Sequence, residues 1–350
     1  MYLEAIATAV PPNHYTQSEC WATLRDSEVA ARLRGGALRL AERVMLGRGG
    51  IDRRHFALRP GNGLFDASGS ELNAAFEREA PLLAGDALQK ALQHSGLQAS
   101  DLDALLVCTC TGYLCPGLSS YVAESFGLDR SAFLQDNVGQ GCGAAIPTLR
   151  SAAHLLAAQP SARLAVLAVE VCSAVFYIDD DPGVVISACL FGDGAAATIW
   201  HGDDRRGGLR LDQFDTVHLP EDRELLRFTS KGGKLRNLLS PLVPERAGEA
   251  VRTLYERAQL DAATELVPHP GGRDVLAALD AALPLSCPPE AAEVLRRYGN
   301  MSSPSVLFVL EEILRRETRP ESLWLTSFGA GFSAHSCRAR HHKSEHPAPA

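Results

Sequence analysis

The feature that most limits what this chain can fold into is a weak internal duplication. Leu190-Phe191-Gly192-Asp193-Gly194-Ala195-Ala196 is echoed by Ser327-Phe328-Gly329-Ala330-Gly331-Phe332-Ser333, and each reads as a strand, a glycine turn and a second strand. A helix opened by Gly141-Cys142-Gly143 is echoed by one opened by Gly299-Asn300-Met301. Pro147 and Pro304 fall alike in the first turns of these helices, where a missing N–H is tolerated. In the same alignment the strand Ala104 to Cys110 answers Glu265 to Val267. The expectation is two similar halves, about 1–205 and 206–340, with Cys142 and Asn300 near a pseudo-twofold axis and a disordered tail over 341–350.

Between these markers helix and buried strand alternate. A strand Leu3 to Val10 precedes a polar helical stretch from Gln17 to Gly35 and an irregular Gly- and Arg-rich segment over 36–72. A helix Ala80 to Ser95 feeds the strand Ala104 to Cys110, and helices near Ser119 to Phe126 and Cys142 to Ala158 precede the apolar strand Leu164 to Val169. This is the pattern of a layered α/β fold, and 350 residues suit about two domain-sized units. No apolar run has membrane-spanning length.

The net charge of −8 argues against a nucleic-acid partner, so any anionic ligand must meet a local basic cluster. The nine cysteines are odd in number and scattered through apolar segments, and MYLEAIATAVPP lacks a basic stretch followed by a long apolar one. A reducing, cytoplasmic setting is expected, without a disulfide framework and with at least one thiol kept for its chemistry.

Cys142 sits between two glycines at a tight turn into a helix, beside N–H groups that lower a thiol's pKa; it is a nucleophile or a small buried cysteine. His269, in Val-Pro-His-Pro-Gly-Gly, stands at a strand's carboxyl end between two prolines, where α/β proteins gather ligands. Asn300 opens a helix after Gly299, as a functional amide or as an N-cap. Gly139-Gln140-Gly141-Cys142-Gly143 mimics a dinucleotide fingerprint, but Leu134-Gln135-Asp136-Asn137 is too polar for a buried first strand. Cys108, Cys110 and Cys115 lack a second Cys/His pair at zinc spacing, and Asp179-Asp180-Asp181 reads as a solvated turn.

Together Gln140-Gly141-Cys142, Leu190 to Ala196, Val267-Pro268-His269-Pro270-Gly271-Gly272, Tyr298-Gly299-Asn300-Met301-Ser302-Ser303 and Ser327 to Gly331 resemble the type III polyketide synthases, the chalcone-synthase-like branch of the thiolase superfamily. The resemblance runs from about residue 1 to 338 and implies a thiolase fold of αβαβα layers and a homodimer. It implies Cys142, His269 and Asn300 as catalytic triad, acyl-CoA and malonyl-CoA as substrates, and no metal or redox cofactor. It assigns Phe191 as a gate between coenzyme A tunnel and cavity, with a second gate near Asn237 or Leu238. Cavity positions match Cys110, Cys115, Cys172, Val175 and Ser302, with Cys115 where relatives carry a methionine that crosses the dimer interface. This thiol-rich, apolar wall favours an aliphatic starter and a pyrone- or resorcinol-type product. Arg48, Arg53 and Arg54 resemble the residues that hold coenzyme A phosphates, or form a solvated Arg-rich loop. The rival readings are a ketoacyl synthase III-like enzyme making one condensation on an acyl carrier protein, and a catalytically silent scaffold of the same fold.

Overall fold

The structure, a computed structural model, describes residues 1–47, 49–59 and 67–342. Its thirteen strands are β1 Tyr2–Ala9, β2 His14–Thr16, β3 Arg53–His55, β4 Ala104–Thr109, β5 Phe133–Val138, β6 Arg163–Glu170, β7 Gly194–His201, β8 Gly208–His218, β9 Leu226–Lys231, β10 Lys234–Leu239, β11 Thr264–Pro268, β12 Ser322–Gly329 and β13 Ser333–His342. Nine of them form one sheet in the order β11-β12-β13-β8-β1-β7-β6-β4-β5, while β2-β3 and β9-β10 form separate two-stranded sheets.

From the β1/β8 contact outward the pairings repeat. β1 runs antiparallel to β7, β7 antiparallel to β6, and β6 parallel to β4. On the other side β8 runs antiparallel to β13, β13 antiparallel to β12, and β12 parallel to β11. The glycine turns noted in the sequence thus stand at matching points, although Leu190 ends the helix Pro182–Leu190 rather than a strand.

Strand alternation explains why β4 and β6 read as continuous apolar runs: both faces are buried. Leu106, Cys108, Val166 and Ala168 face a central core with Ile146, Leu149 and Ala152 of the helix Ala145–Ala158 and Val306 and Leu310 of the helix Ser305–Leu314. Leu105, Val107, Ala165 and Leu167 face an outer core with the helix Gly69–Ser95. In the second run Leu323 and Leu325 join the central core, whereas Trp324 and Phe328 pack outward with Val251 and Leu254 of the helix Val243–Arg257. Two helices are thereby enclosed between sheet layers, each backed by an outer helix. No helix among the described residues is long and apolar enough to cross a membrane.

Three expectations needed correction. The segment over 36–72 contains the helix Gly35–Leu46, whose buried Ala37, Ala41 and Met45 recur at four-residue spacing that its glycines and arginines masked. The helix expected from Ala80 begins at Gly69, where Ser68 and Glu71 form a capping box. Leu134 to Asn137 do lie in a strand, β5, but it is a partly exposed edge strand paired only with β4, in keeping with a segment too polar for a buried first strand. Of the expected tail, His341 and His342 close β13 and residues 343–350 lie outside the described residues.

Candidate active site

Cys142 is carried on the single turn Gly141–Gly143 ahead of the helix Ala145–Ala158. The turn is pressed against the end of β12: Ser327 Oγ donates to the Gly143 carbonyl at 3.1 Å, and Gly329 packs on the backbone of Gln140 and Gly143. Gly141 has φ +57 and faces the Ala330 backbone, so a side chain would be both strained and crowded. The motif that ends one half of the duplication therefore supports the turn that carries Cys142 in the other.

His269 follows β11, its N–H donating to the Thr326 carbonyl at 2.8 Å. Its ring meets Phe328 edge to face, with centroids 5.3 Å apart, and Gly271 leaves room for it, since a Cβ there would lie 3.2 Å from His269 Nε2. The ring is thus held by an aromatic edge and a bare backbone as well as by the flanking prolines. Neither ring nitrogen has a hydrogen-bond partner among the described residues, although the residue is buried.

Asn300 is not an N-cap, because the following helix begins only at Ser305. Its Nδ2 donates to the Gly271 carbonyl at 2.9 Å and its Oδ1 accepts from Ser302 N at 2.8 Å. That bond holds Ser302 at φ +61, a conformation that costs a residue with a side chain. The Asn300 backbone also pairs with the segment of Phe191, accepting from Gly192 N at 2.9 Å and donating to the Leu190 carbonyl at 3.0 Å. One amide N–H of Asn300 remains for the cavity it lines.

Two cavities meet at Cys142. The inner one encloses about 630 Å³, its mouth included, and the outer one about 1490 Å³ out to solvent. Cys142, Phe191 and Leu226 line both. His269 and Asn300 line the outer one, with Arg43 and Arg273 near its rim. Cys110, Cys172, Val175, Asn237 and Ser302 line the inner one, together with Phe191. Cys115 does not: it is exposed and lines neither cavity of this chain. Asn237 faces only the inner space, and the apolar partner of Phe191 at the junction is Leu226, two register steps along the same hairpin.

The basic cluster also needed correction. Arg54 is 1% exposed and donates to Gln17 Oε1 at 3.1 Å and to the carbonyls of Ala188 and Phe191 at 2.8 and 2.9 Å. It is an internal strut holding the Phe191 segment and cannot reach a phosphate. Arg53 lines neither cavity, and Arg48 lies outside the described residues, although its neighbours Gly47 and Gly49 line the outer cavity. The acidic run is not simply solvated: Asp179 accepts from Arg236 Nε at 2.8 Å and Asp180 accepts from Arg34 N at 2.7 Å.

Burial dominates the electrostatics. It pushes the Cys142 thiol up to about 12, a hydrogen bond from Ser302 opposing and the Glu170 carboxylate adding to the shift. Burial alone holds His269 down to about 3. The enclosed site therefore favours neutral thiol and neutral imidazole, not the lowered thiol pKa expected from the helix start. Glu170, whose role the sequence did not reveal, is wholly buried at the end of β6. It accepts from Cys110 N at 2.9 Å, Thr111 Oγ1 at 2.9 Å and Ser303 Oγ at 2.6 Å, tying the Cys110 segment to that of Asn300. Burial raises its carboxyl pKa against these bonds. Among the described residues no group of three or more His, Cys, Asp or Glu could hold a metal ion, and all nine cysteines are free.

Residues 13–213 match the family model described as FAE1/Type III polyketide synthase-like protein, and residues 229–333 match chalcone and stilbene synthases, C-terminal domain. The chain belongs to the type III polyketide synthase family. It is 32% identical to a 1,3,6,8-tetrahydroxynaphthalene synthase of Streptomyces peucetius subsp. caesius over 94% of this chain and 90% of that one. It is also 32% identical to a 3,5-dihydroxyphenylacetyl-CoA synthase of Amycolatopsis orientalis, over 77% of each. The crystal structure of the bacterial tetrahydroxynaphthalene synthase of Streptomyces coelicolor A3(2) superposes with a TM-score of 0.86 at 25% identity, covering 98% of this chain and all of that one. The fold is thus the thiolase fold, and the family's members are condensing acyltransferases that use coenzyme A thioesters and need no further cofactor.

Proposed function

We propose that this synthase carries an acyl starter on Cys142 and extends it with malonyl units. The observation that supports this most directly is the position of Cys142 at the meeting of two cavities, with His269 and Asn300 on the outer side. His269 takes the Cys142 proton as the sulfur attacks the starter thioester carbonyl, and the proton passes to the departing sulfur so that coenzyme A leaves as the thiol. Malonyl-CoA then enters the outer cavity and loses carbon dioxide, leaving an enolate. The unpartnered His269 nitrogen and the spare Asn300 N–H donate to the thioester oxygen where this negative charge develops. The enolate carbon attacks the Cys142 thioester, the Cys142–acyl bond breaks, and the chain returns to coenzyme A two carbons longer. Repetition and cyclisation give a pyrone- or resorcinol-type product. The apolar side chains of Val175, Phe176 and Phe228 in the inner wall accommodate the hydrocarbon part of an aliphatic starter. The products named for the two curated relatives are likewise hydroxylated aromatic compounds.

Three arrangements accompany this reading. Phe191 and Leu226 form the gate between tunnel and cavity. The two runs of sheet correspond to units over 1–205 and 206–340. Two copies meet at the edge that exposes Tyr113, Phe133, Leu134 and Val138, beside Cys115. Incubation with malonyl-CoA and short acyl-CoAs should release carbon dioxide and yield cyclised products by mass spectrometry, from a species sedimenting at twice the chain mass. If every starter returns unchanged acyl-CoA, the reading fails.

Arg43 and Arg273, at the rim of the outer cavity, replace Arg53 and Arg54 as the residues that meet coenzyme A phosphates. Arg43→Ala should raise KM for acyl-CoA by about tenfold at low salt, with thermal stability unchanged. Arg54→Ala should behave oppositely, losing about 2–4 kcal/mol of stability in denaturant titration because two carbonyls and Gln17 lose a buried donor. A KM effect confined to Arg54 would reverse the assignment.

A further inference from the structure

Two polar atoms in the inner wall take no part in the chemistry above and have no partner among the described residues: Ser187 Oγ and Asn237 Oδ1. Both atoms are buried, and Ser187 as a whole is 5% exposed. They come from adjoining elements, the helix Pro182–Leu190 and β10. These elements touch closely enough that a Cβ on Gly183 would lie 2.1 Å from the Leu239 carbonyl oxygen. Around them the wall is largely apolar, with Val175, Phe176 and Phe228, and Arg227, which also lines it, is paired with Glu224 at 2.6 Å. Burying a hydroxyl and an amide oxygen unpaired in such a wall costs stability, and a bound molecule that pairs them recovers it.

The two groups specify the ligand chemistry. Asn237 Oδ1 only accepts, so the ligand must offer a donor there; Ser187 Oγ can donate to a carbonyl oxygen. Neither carries charge, and Arg227 of the same cavity is already paired with Glu224, which disfavours a carboxylate in this part of it. A 1,3-dicarbonyl chain enolises readily and presents both an enol O–H and a carbonyl oxygen. An alkyl chain presents neither, and would leave both wall atoms desolvated and unpaired.

We infer that Ser187 and Asn237 form a hydrogen-bonding subsite for β-oxoacyl chains, so that the enzyme selects its own extension intermediates, and starters resembling them, over alkyl chains of equal length. The inference rests on the reading of Cys142 as the acyl carrier. It makes Ser187 and Asn237 specificity-determining residues.

The test measures how fast Cys142 is acylated by 3-oxohexanoyl-, 5-oxohexanoyl- and hexanoyl-CoA, followed by intact-protein mass spectrometry with peptide mapping of the adduct. The wild-type protein should load 3-oxohexanoyl about tenfold faster than hexanoyl, whereas 5-oxohexanoyl, which is not a 1,3-dicarbonyl, should gain less; a preference for 5-oxohexanoyl alone overturns the inference. Ser187→Ala and Asn237→Leu should each cut that advantage to about twofold or less, while hexanoyl loading speeds up because a desolvated polar atom is gone. Equal loading of all three chains by the wild type, or an advantage undiminished in both variants, overturns the inference and leaves the acyl-carrier reading standing. Absence of any Cys142 adduct from all three overturns both. Ser187→Ala removes one buried hydroxyl and no backbone bond, so it keeps the test decisive should Asn237→Leu fold poorly.

Discussion

Cys142→Ala is expected to abolish condensed product, a loss of about 10⁴-fold or more, while malonyl-CoA still releases carbon dioxide. The split follows from the geometry. Condensation requires a covalent acyl acceptor, and Cys142 is the one thiol that lines both cavities. Decarboxylation requires donors to the thioester oxygen, and His269 and Asn300 are anchored independently of Cys142, on Phe328 and on the Gly271 carbonyl. Following carbon dioxide and product in the same reaction separates the steps; loss of both would mean that the thiol also builds the decarboxylation site. The variant further identifies the thiol in a pH series. With the thiol pushed up to about 12 and the imidazole held down to about 3, alkylation of Cys142 by iodoacetamide should climb roughly tenfold per pH unit from 7 to 10. A plateau below pH 8 would instead reveal a thiolate–imidazolium pair.

The parts of this site that were legible in the sequence are those where the backbone demands a particular residue. Gly141, Gly143 and Gly329 are required where two backbones touch, and their motif marks the Cys142 turn without any knowledge of the fold. His269 was legible because a strand end places it. Groups whose meaning depends on a distant partner were not. Arg54 sits in an Arg-rich stretch that reads as surface, yet its acceptors lie 134 and 137 residues further on. Leu226 carries no chemical signature and reaches the junction of the two cavities only because the hairpin β9–β10 brings it to the wall that Phe191 also lines. Glu170 is a lone acid directly after an apolar run, and only Ser303, 133 residues away, gives it a role. Asp179 to Asp181 misled for the same reason, since Arg34 and Arg236 reach them from separate segments.

Gly329→Ala should be the most damaging substitution outside the reacting groups. A Cβ there would lie 2.3 Å from the Gln140 carbonyl oxygen and 2.5 Å from Gly143 N. Both are backbone atoms, so no side chain can rotate away and either the Cys142 turn or the end of β12 must move. β12 is fixed by its pairing with β13, Gly329 facing Ser333, so the turn is the element that yields. A cost of about 3 kcal/mol or more is expected, because overpacking here cannot relax through rotamers. Displacing the thiol by about 1 Å should slow acyl loading by about 10²-fold beyond any loss of folded protein. Gly36→Ala provides the contrast: in the helix Gly35–Leu46 its Cβ would meet nothing within 4 Å, so stability should hold or rise by up to about 1 kcal/mol. Thermal melts of both variants, with loading rates normalised to the folded fraction, check the argument. If Gly329→Ala melts and loads like the wild type, contact with β12 is not what positions Cys142.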